Sequence, residues 1–105
     1  MSSIVCPVLG LMNTLSKRWV MHTLRVIAEG KENFNEIKRA IPGISAKILS
    51  ERLTELEEEG FIIRKVIDGK PIKIQYSFTE RGKSLNERIE LLNEWARADS
   101  AIQNI

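Results

Sequence analysis

Residues 33–79 read NFNEIKRAIPGISAKILSERLTELEEEGFIIRKVIDGKPIKIQYSFT, and the order of signals in this stretch decides the fold. Asn33 with Glu36 three residues on is a capping-box-like start, and the short helix it opens runs to Ala40 before Pro42-Gly43 ends it. Ser45 caps a longer helix over 45–59, where Leu49, Leu53 and Leu56 recur at i, i+4 and i+7 and Gly60 closes it. Past Gly60 the period changes. Phe61 to Ile67 and Ile72 to Phe78 are rich in β-branched residues, and the second run alternates cleanly. Asp68-Gly69-Lys70-Pro71 joins them, an Asp-Gly hairpin signal in which glycine would supply the positive φ of a tight turn. A short helix, a Pro-Gly turn and a longer helix form a helix-turn-helix layout, and the hairpin 61–78 that follows makes it winged.

Working outward, Pro7 suits the first position of a helix from Cys6 to Leu15, and Ser16 is read as the N-cap of a second helix. In that helix Trp19, Leu24, Ile27 and Ala28 form the core stripe and Gly30 the stop, leaving Lys17, Arg18 and Arg25 for solvent or phosphate. Thr79 caps a final helix carrying Leu85, Ile89, Leu92, Trp95 and Ala96 at helical spacing. The expected fold class is mainly α with a β-hairpin (α+β), a winged helix-turn-helix in the order α-α-α-α-β-β-α, with residues 1–105 as one DNA-binding domain whose N-terminal and C-terminal helices serve dimerisation. At 105 residues, two separate cores would each be starved of buried surface. A hydrophobic share of 43% with 29% charged residues supports a packed core rather than disorder. No apolar run is long enough for a membrane helix and no leader pattern opens the chain, so the expectation is a cytoplasmic protein without membrane association. Cys6 and His22 are the only cysteine and histidine, which argues against a disulfide within the chain and against a metal site, and no cofactor is expected.

The net charge is only +2, so its placement carries the information. In residues 61–83, Arg64, Lys65, Lys70, Lys73, Arg81 and Lys83 face only Asp68 and Glu80, a net +4. In the first forty, Lys17, Arg18, Arg25, Lys31, Lys38 and Arg39 face Glu29, Glu32 and Glu36, a further +3, while the remaining segments are acidic. Positive potential therefore gathers near the hairpin and first helices, as contact with double-stranded DNA requires. Turning Leu49, Leu53 and Leu56 inward rotates Lys47, Ser50, Glu51 and Thr54 outward, where they can reach base edges or phosphates in a major groove. Together with Ser45 on the same helix and Arg64, Lys70 and Lys73 on the wing, these form the candidate DNA-binding set, Lys70 at the wing tip being the expected backbone or minor-groove contact. The acidic end, Glu55 and Glu57 to Glu59, should point away from DNA. Leu85, Ile89, Leu92 and Trp95 are more apolar area than a terminal helix leaves in water, which points to a homodimer interface or, in part, to folding back on the chain's own domain. Two copies would set recognition helices about 34 Å apart, matching a palindromic site.

Cys6-Pro7, Trp19, Leu24-Arg25, Phe34 to Ile37, Ile41 to Ser45, Lys47, Leu49-Ser50, Arg52-Leu53, Glu55 to Glu57, Gly60, Tyr76, Phe78-Thr79 and Gly82, taken in order, resemble the HxlR-type branch of MarR-like winged-helix transcriptional regulators. The resemblance runs from Cys6 to about Trp95 and implies a homodimer that binds DNA near promoters, as a repressor or an activator. It also implies a role for Cys6, because some members sense oxidants or electrophiles through a cysteine at this Cys-Pro position. A helix start there would place the thiol at the positive end of the helix dipole, with Lys17 or Arg18 expected nearby. The Ser16 to Trp19 segment resembles the family's glycine-lysine-tryptophan turn but lacks its glycine.

Other functions fit less well. An enzyme is disfavoured by the lack of a glycine-rich phosphate loop or nucleophile elbow, and His22 has no evident catalytic partner in the sequence. A metal-sensing repressor would need more ligands than Cys6 and His22. The standing alternative is a winged helix that binds protein, as in a transcription-machinery adaptor or antirepressor, separable by the salt dependence of DNA affinity. The operator and any small-molecule effector are not legible in the residues.

Overall fold

The computed structural model describes residues 6–99 and 101–102. Its elements follow the expected order: α1 (Pro7–Leu15), α2 (Val20–Ala28), α3 (Phe34–Ala40), α4 (Ala46–Glu58), β1 (Ile62–Ile67), β2 (Lys73–Phe78) and α5 (Glu80–Ala98). Local signals set most boundaries. Pro7 opens α1, and Asn33 and Glu36 close a complete capping box on α3, the Asn33 side chain accepting from the Glu36 N–H at 2.9 Å. The Ser45 side chain accepts from the Ile48 N–H at 3.1 Å and so caps α4, while Gly60 takes a positive φ of 80° just past its end.

The core gathers Leu15, Val20, Leu24, Val26, Ile27, Ile37, Ile41, Ile44, Leu49, Leu53, Leu56, Phe61, Ile62 and Tyr76, and the half-buried Leu85 and Ile89 of α5 pack against it. Helix α4 therefore lies with its leucine stripe fully inside. The two strands pair antiparallel, Ile62 opposite Phe78 through Ile67 opposite Lys73, and Tyr76 donates its N–H to the Glu32 carbonyl at 2.7 Å, tying the hairpin to the segment before α3. Helix α5 meets the hairpin at Gly82: a Cβ there would lie 1.9 Å from the Phe61 carbonyl oxygen, so only glycine fits. Thr79 holds this corner, accepting from the Gly82 N–H at 3.0 Å and donating its hydroxyl to the Gly60 carbonyl at 2.6 Å.

Three sequence expectations are corrected. Ser16 ends α1 as its C-cap instead of starting α2, and the N-cap position of α2 is Trp19, in the left-handed region at φ 77°. None of Ser16, Lys17 and Arg18 takes a positive φ, so the missing family glycine costs no backbone strain at these three positions. Trp19 is held by its surroundings: Arg18 stacks 5.0 Å from its ring, His22 meets it edge-on at 5.2 Å, and its backbone oxygen accepts from the buried Thr23 hydroxyl at 2.8 Å. Ala28 is exposed, and Val20, Thr23 and Val26 supply the burial that had been assigned to it. The hairpin connection spans 68–72, and Gly69 has no positive φ; a Cβ on it would instead crowd the Pro71 carbonyl oxygen at 3.3 Å.

Candidate nucleic-acid interface

Burying Leu49, Leu53 and Leu56 fixes the rotation of α4 about its axis, and one consequence is a polar face at positions 47, 50, 51 and 54. Lys47, Ser50, Glu51 and Thr54 are all exposed, and their side chains make no hydrogen bond or ion pair with the described residues. Ser45 is exposed as well, but its hydroxyl is engaged in capping the helix. The face thus offers a cation, two hydroxyls and one carboxylate on a rigid helix with no competing internal partner, the donor and acceptor types that base edges and phosphates recognise.

Arg64, Lys70 and Lys73 on the hairpin are exposed and also free of partners among the described residues. The register distributes them over both faces. Arg64 stands opposite the buried Tyr76, on the face turned toward the core, whereas Lys73, opposite Ile67, shares the outer face with Lys65, opposite Gln75. Lys65 is a wing cation that sequence reasoning left out of its candidate set; the period-two alternation held the signal once the register was known.

Several other cations prove to be structural. Lys17 Nζ lies 3.1 Å from Glu55 Oε2, and Arg25 pairs with Glu29 at 3.2 Å and with Glu90 at 3.4 Å. Arg81 stacks 4.3 Å from the Phe61 ring and donates to the Glu59 carbonyl. Lys17 and Arg25 are exposed to solvent as expected, but each is already paired with carboxylates of its own chain. The acidic end of α4 is engaged too. Glu59 accepts from the Thr14 hydroxyl at 2.6 Å, and Glu55 accepts from Lys17 and from Arg52. Burial alone would raise the Glu55 carboxyl, but the Lys17 and Arg52 hydrogen bonds outweigh it and hold the group below the usual carboxylate range.

The apolar candidates split. Leu85 and Ile89 fold back onto the core, whereas Leu92 and Trp95 are exposed, joined by Leu91 on α5 and by Val8, Leu9 and Met12 on α1. The sequence reading assigns the N-terminal helix to dimerisation without naming its residues; Val8 and Met12 share the helical side of Leu15, yet only the Leu15 end of that side is buried. Cys6 is exposed at the N-cap of α1, and Lys17 and Arg18 lie beyond the opposite end of that helix rather than beside the thiol. His22 is exposed. Among the described residues no group of three or more His, Cys, Asp or Glu is placed to hold a metal ion, and no helix is long and apolar enough to cross a membrane.

Comparison with known proteins places this geometry. The profile of a family described as HxlR-like helix-turn-helix matches residues 14–103. The HTH-type transcriptional regulator YodB of Bacillus subtilis is 36% identical over 97 residues, covering 91% of this chain and 87% of that protein. The HTH-type transcriptional regulator YvaP, also of Bacillus subtilis, is 42% identical over 85 residues, 81% of this chain and 79% of the relative. Among solved structures, the redox regulator HypR in its reduced form superposes with a TM-score of 0.83 at 29% identity, covering 95% of this chain and all of that one. The reduced form of YodB gives a TM-score of 0.80 at 35% identity over 92% of this chain and 96% of that one, and YodB has also been solved after diamide treatment.

Proposed function

Because the chain belongs to the HxlR-like helix-turn-helix family of transcriptional regulators, we propose that it binds duplex DNA as a homodimer and reads an inverted repeat with α4 in the major groove and the hairpin as wing. Membership makes it a regulator and not an enzyme. The observation that carries the proposal is the face of Lys47, Ser50, Glu51 and Thr54: exposed, unpartnered and fixed in rotation by the leucines behind it. Ser45 lies at the helix N-terminus, from which a phosphate or base contact is in reach. Arg64, Lys70 and Lys73, with Lys65 added, supply sequence-independent affinity along the backbone. Residues 1–105 act as a single DNA-binding domain that carries its own dimerisation surfaces, Leu92 and Trp95 with Leu91 on α5 and Val8, Leu9 and Met12 on α1, while Leu85 and Ile89 brace α5 against the core.

Selection of the purified protein against random duplex DNA tests this directly. Enrichment of an inverted repeat with half-sites about one helical turn apart is the expected result. Absence of any enriched motif at low salt would move the function to a protein-binding winged helix.

Cys6 supports an oxidant-responsive reading of the same dimer. It is exposed on α1 beside the apolar residues of the proposed interface, and YodB and HypR, which this chain resembles, have been solved in treated or redox-defined states. As the chain has one cysteine, a protein disulfide must link two copies: two Cys6 thiols give up two protons and two electrons to diamide, which becomes the hydrazine as the S–S bond forms. Diamide is expected to release DNA from the wild type and to leave Cys6→Ser bound. Unchanged wild-type affinity under diamide sinks the switch.

A further inference from the structure

The C-terminal half of α4 is fastened to the turn between α1 and α2 at three points. Thr14, buried in the last turn of α1, donates to the Glu59 carboxylate at 2.6 Å. Lys17 donates to Glu55 at 3.1 Å. Arg52 donates Nε to the Arg18 carbonyl at 2.9 Å and a terminal nitrogen to Glu55 at 2.9 Å. The Arg52 side chain is only 16% exposed, so its planar fork is little screened and holds both acceptors in one geometry. At 3.6 residues per turn, positions 52, 55 and 59 form one stripe, on the flank between the leucine stripe and the polar face of 47, 50, 51 and 54.

These bonds do something the leucines cannot. Apolar contact is non-directional and tolerates small rolls and slides of one helix on another, while hydrogen bonds with fixed donors and acceptors select one rotation and one tilt. The far end of the linkage is also informative. Thr14 and Leu15 are the buried residues of α1, and Val8, Leu9 and Met12 are left exposed, so α1 joins the body at the turn where the three ties are made.

We infer that Arg52, Glu55 and Glu59 are positioning residues that lock α4 to α1, so that the helix facing the second copy and the helix facing DNA keep one fixed relative orientation. The inference rests on the reading of α1 as a dimer helix and α4 as the DNA-reading helix. Its consequence is that these residues, which lie off the polar face, set the separation of half-sites the dimer accepts.

The experiment measures affinity for the selected inverted repeat and for versions with one or two base pairs inserted at its centre, using the full-length wild type, Thr14→Val, Thr14→Ser and Arg52→Met. The wild type is expected to lose about tenfold or more in affinity for each mis-spaced site. Thr14→Val, which puts a methyl group where the donating hydroxyl stood, and Arg52→Met are expected to compress that penalty to about threefold, while Thr14→Ser restores it. If Thr14→Val folds poorly, Lys17→Met removes a half-exposed partner of Glu55 and carries the same expectation in smaller degree. Retention of the full wild-type penalty by the variants, or equal loss on all spacings in step with a lowered Tm, overturns the inference. A wild type indifferent to spacing overturns it together with the dimeric reading, whereas failure of the variants alone leaves that reading standing.

Discussion

Helices α4 and α5 carry similar apolar patterns and meet opposite fates. In α4, Leu49, Leu53 and Leu56 are 0%, 1% and 0% exposed; in α5, Leu85 and Ile89 pack inward but Leu91, Leu92 and Trp95 remain 63%, 59% and 58% exposed. The difference is in the neighbours. The stripe of α4 is enclosed in a core that α2, α3 and β1 complete. Helix α5 is held over its first half, where Thr79 and Gly82 close against Phe61, Leu85 and Ile89 pack on the core and Glu90 pairs with Arg25, and its 19 residues carry it about 28 Å, past the core it leans on. A leucine repeat in a sequence therefore states that a face will be covered without stating by what. Where the chain's own elements run out, the uncovered remainder is the surface proposed above for a second copy.

The comparison is broken most directly by truncating one residue on each side of it. Leu53→Ala is expected to cost about 3 kcal/mol of folding stability, from lost transfer energy and an unfilled cavity, and to do so at every protein concentration. Trp95→Ala is expected to raise the dimer dissociation constant by about thirtyfold, the loss of about 2 kcal/mol of an interface anchor, so that its destabilisation fades when denaturation is followed at low concentration. Urea denaturation over a hundredfold concentration range, with sedimentation velocity, separates the two. Equal and concentration-independent losses would place Trp95 in the protomer's own packing and erase the contrast.

A smaller contrast lies between the polar face of α4 and the wing. Lys47→Ala is expected to relax base preference at one position of each half-site by about 1–3 kcal/mol, whereas Lys70→Ala should weaken binding to all sequences alike and flatten the salt dependence by about one unit of slope. Competition binding against single-base variants of the selected site reads both. Uniform loss in Lys47→Ala would make it a phosphate contact and leave Ser50, Glu51 and Thr54 to carry the sequence reading.

How far the sequence could be read follows from the range of the interactions involved. The boundaries of α3, α4 and α5 were legible because Asn33 with Glu36, Ser45 and Thr79 satisfy N–H groups within three residues of themselves. The polar face of α4 was legible because helical geometry converts leucine spacing into direction. What was not legible depends on partners far along the chain. Ser16 has the chemistry of an N-cap, yet the start of α2 is displaced to Trp19, whose left-handed backbone is tolerated because Arg18 and His22 pack on its ring and its indole lies 3.6 Å from the position a Cβ on Gly43 would take. Lys17 and Arg25 read as free cations, but Lys17 pairs with Glu55 38 residues away, and Arg25, besides its local pair with Glu29, reaches Glu90 65 residues away. The turn at Gly69 was read from a dipeptide, but the pairing of Ile67 with Lys73 leaves a five-residue connection that needs no positive φ.

The smallest predicted effect tests the flank of α4 without disturbing its leucines. Glu55 is held below its ordinary value of 4.5 in the folded chain, so the folded state binds fewer protons than the unfolded state as pH falls toward that range. The stability it contributes is complete above about 4.5 and is lost as pH drops through the lower folded value. Glu55→Gln abolishes this dependence and weakens the ties to Lys17 and Arg52, a loss of under about 1 kcal/mol for a partly exposed pair at neutral pH. Glu36, also lowered, by the backbone N–H groups of Asn33 and Glu32 in the α3 cap, adds an acid dependence of the same sign, but wild type and variant share it and the difference between them cancels it. Stability of the two proteins measured from pH 7 to pH 3 is therefore expected to differ most at neutral pH and to converge in acid. A constant offset across that range would mean that Glu55 acts through its shape in the α4 flank and not through its charge, and would remove the Lys17 tie from the linkage between α1 and α4.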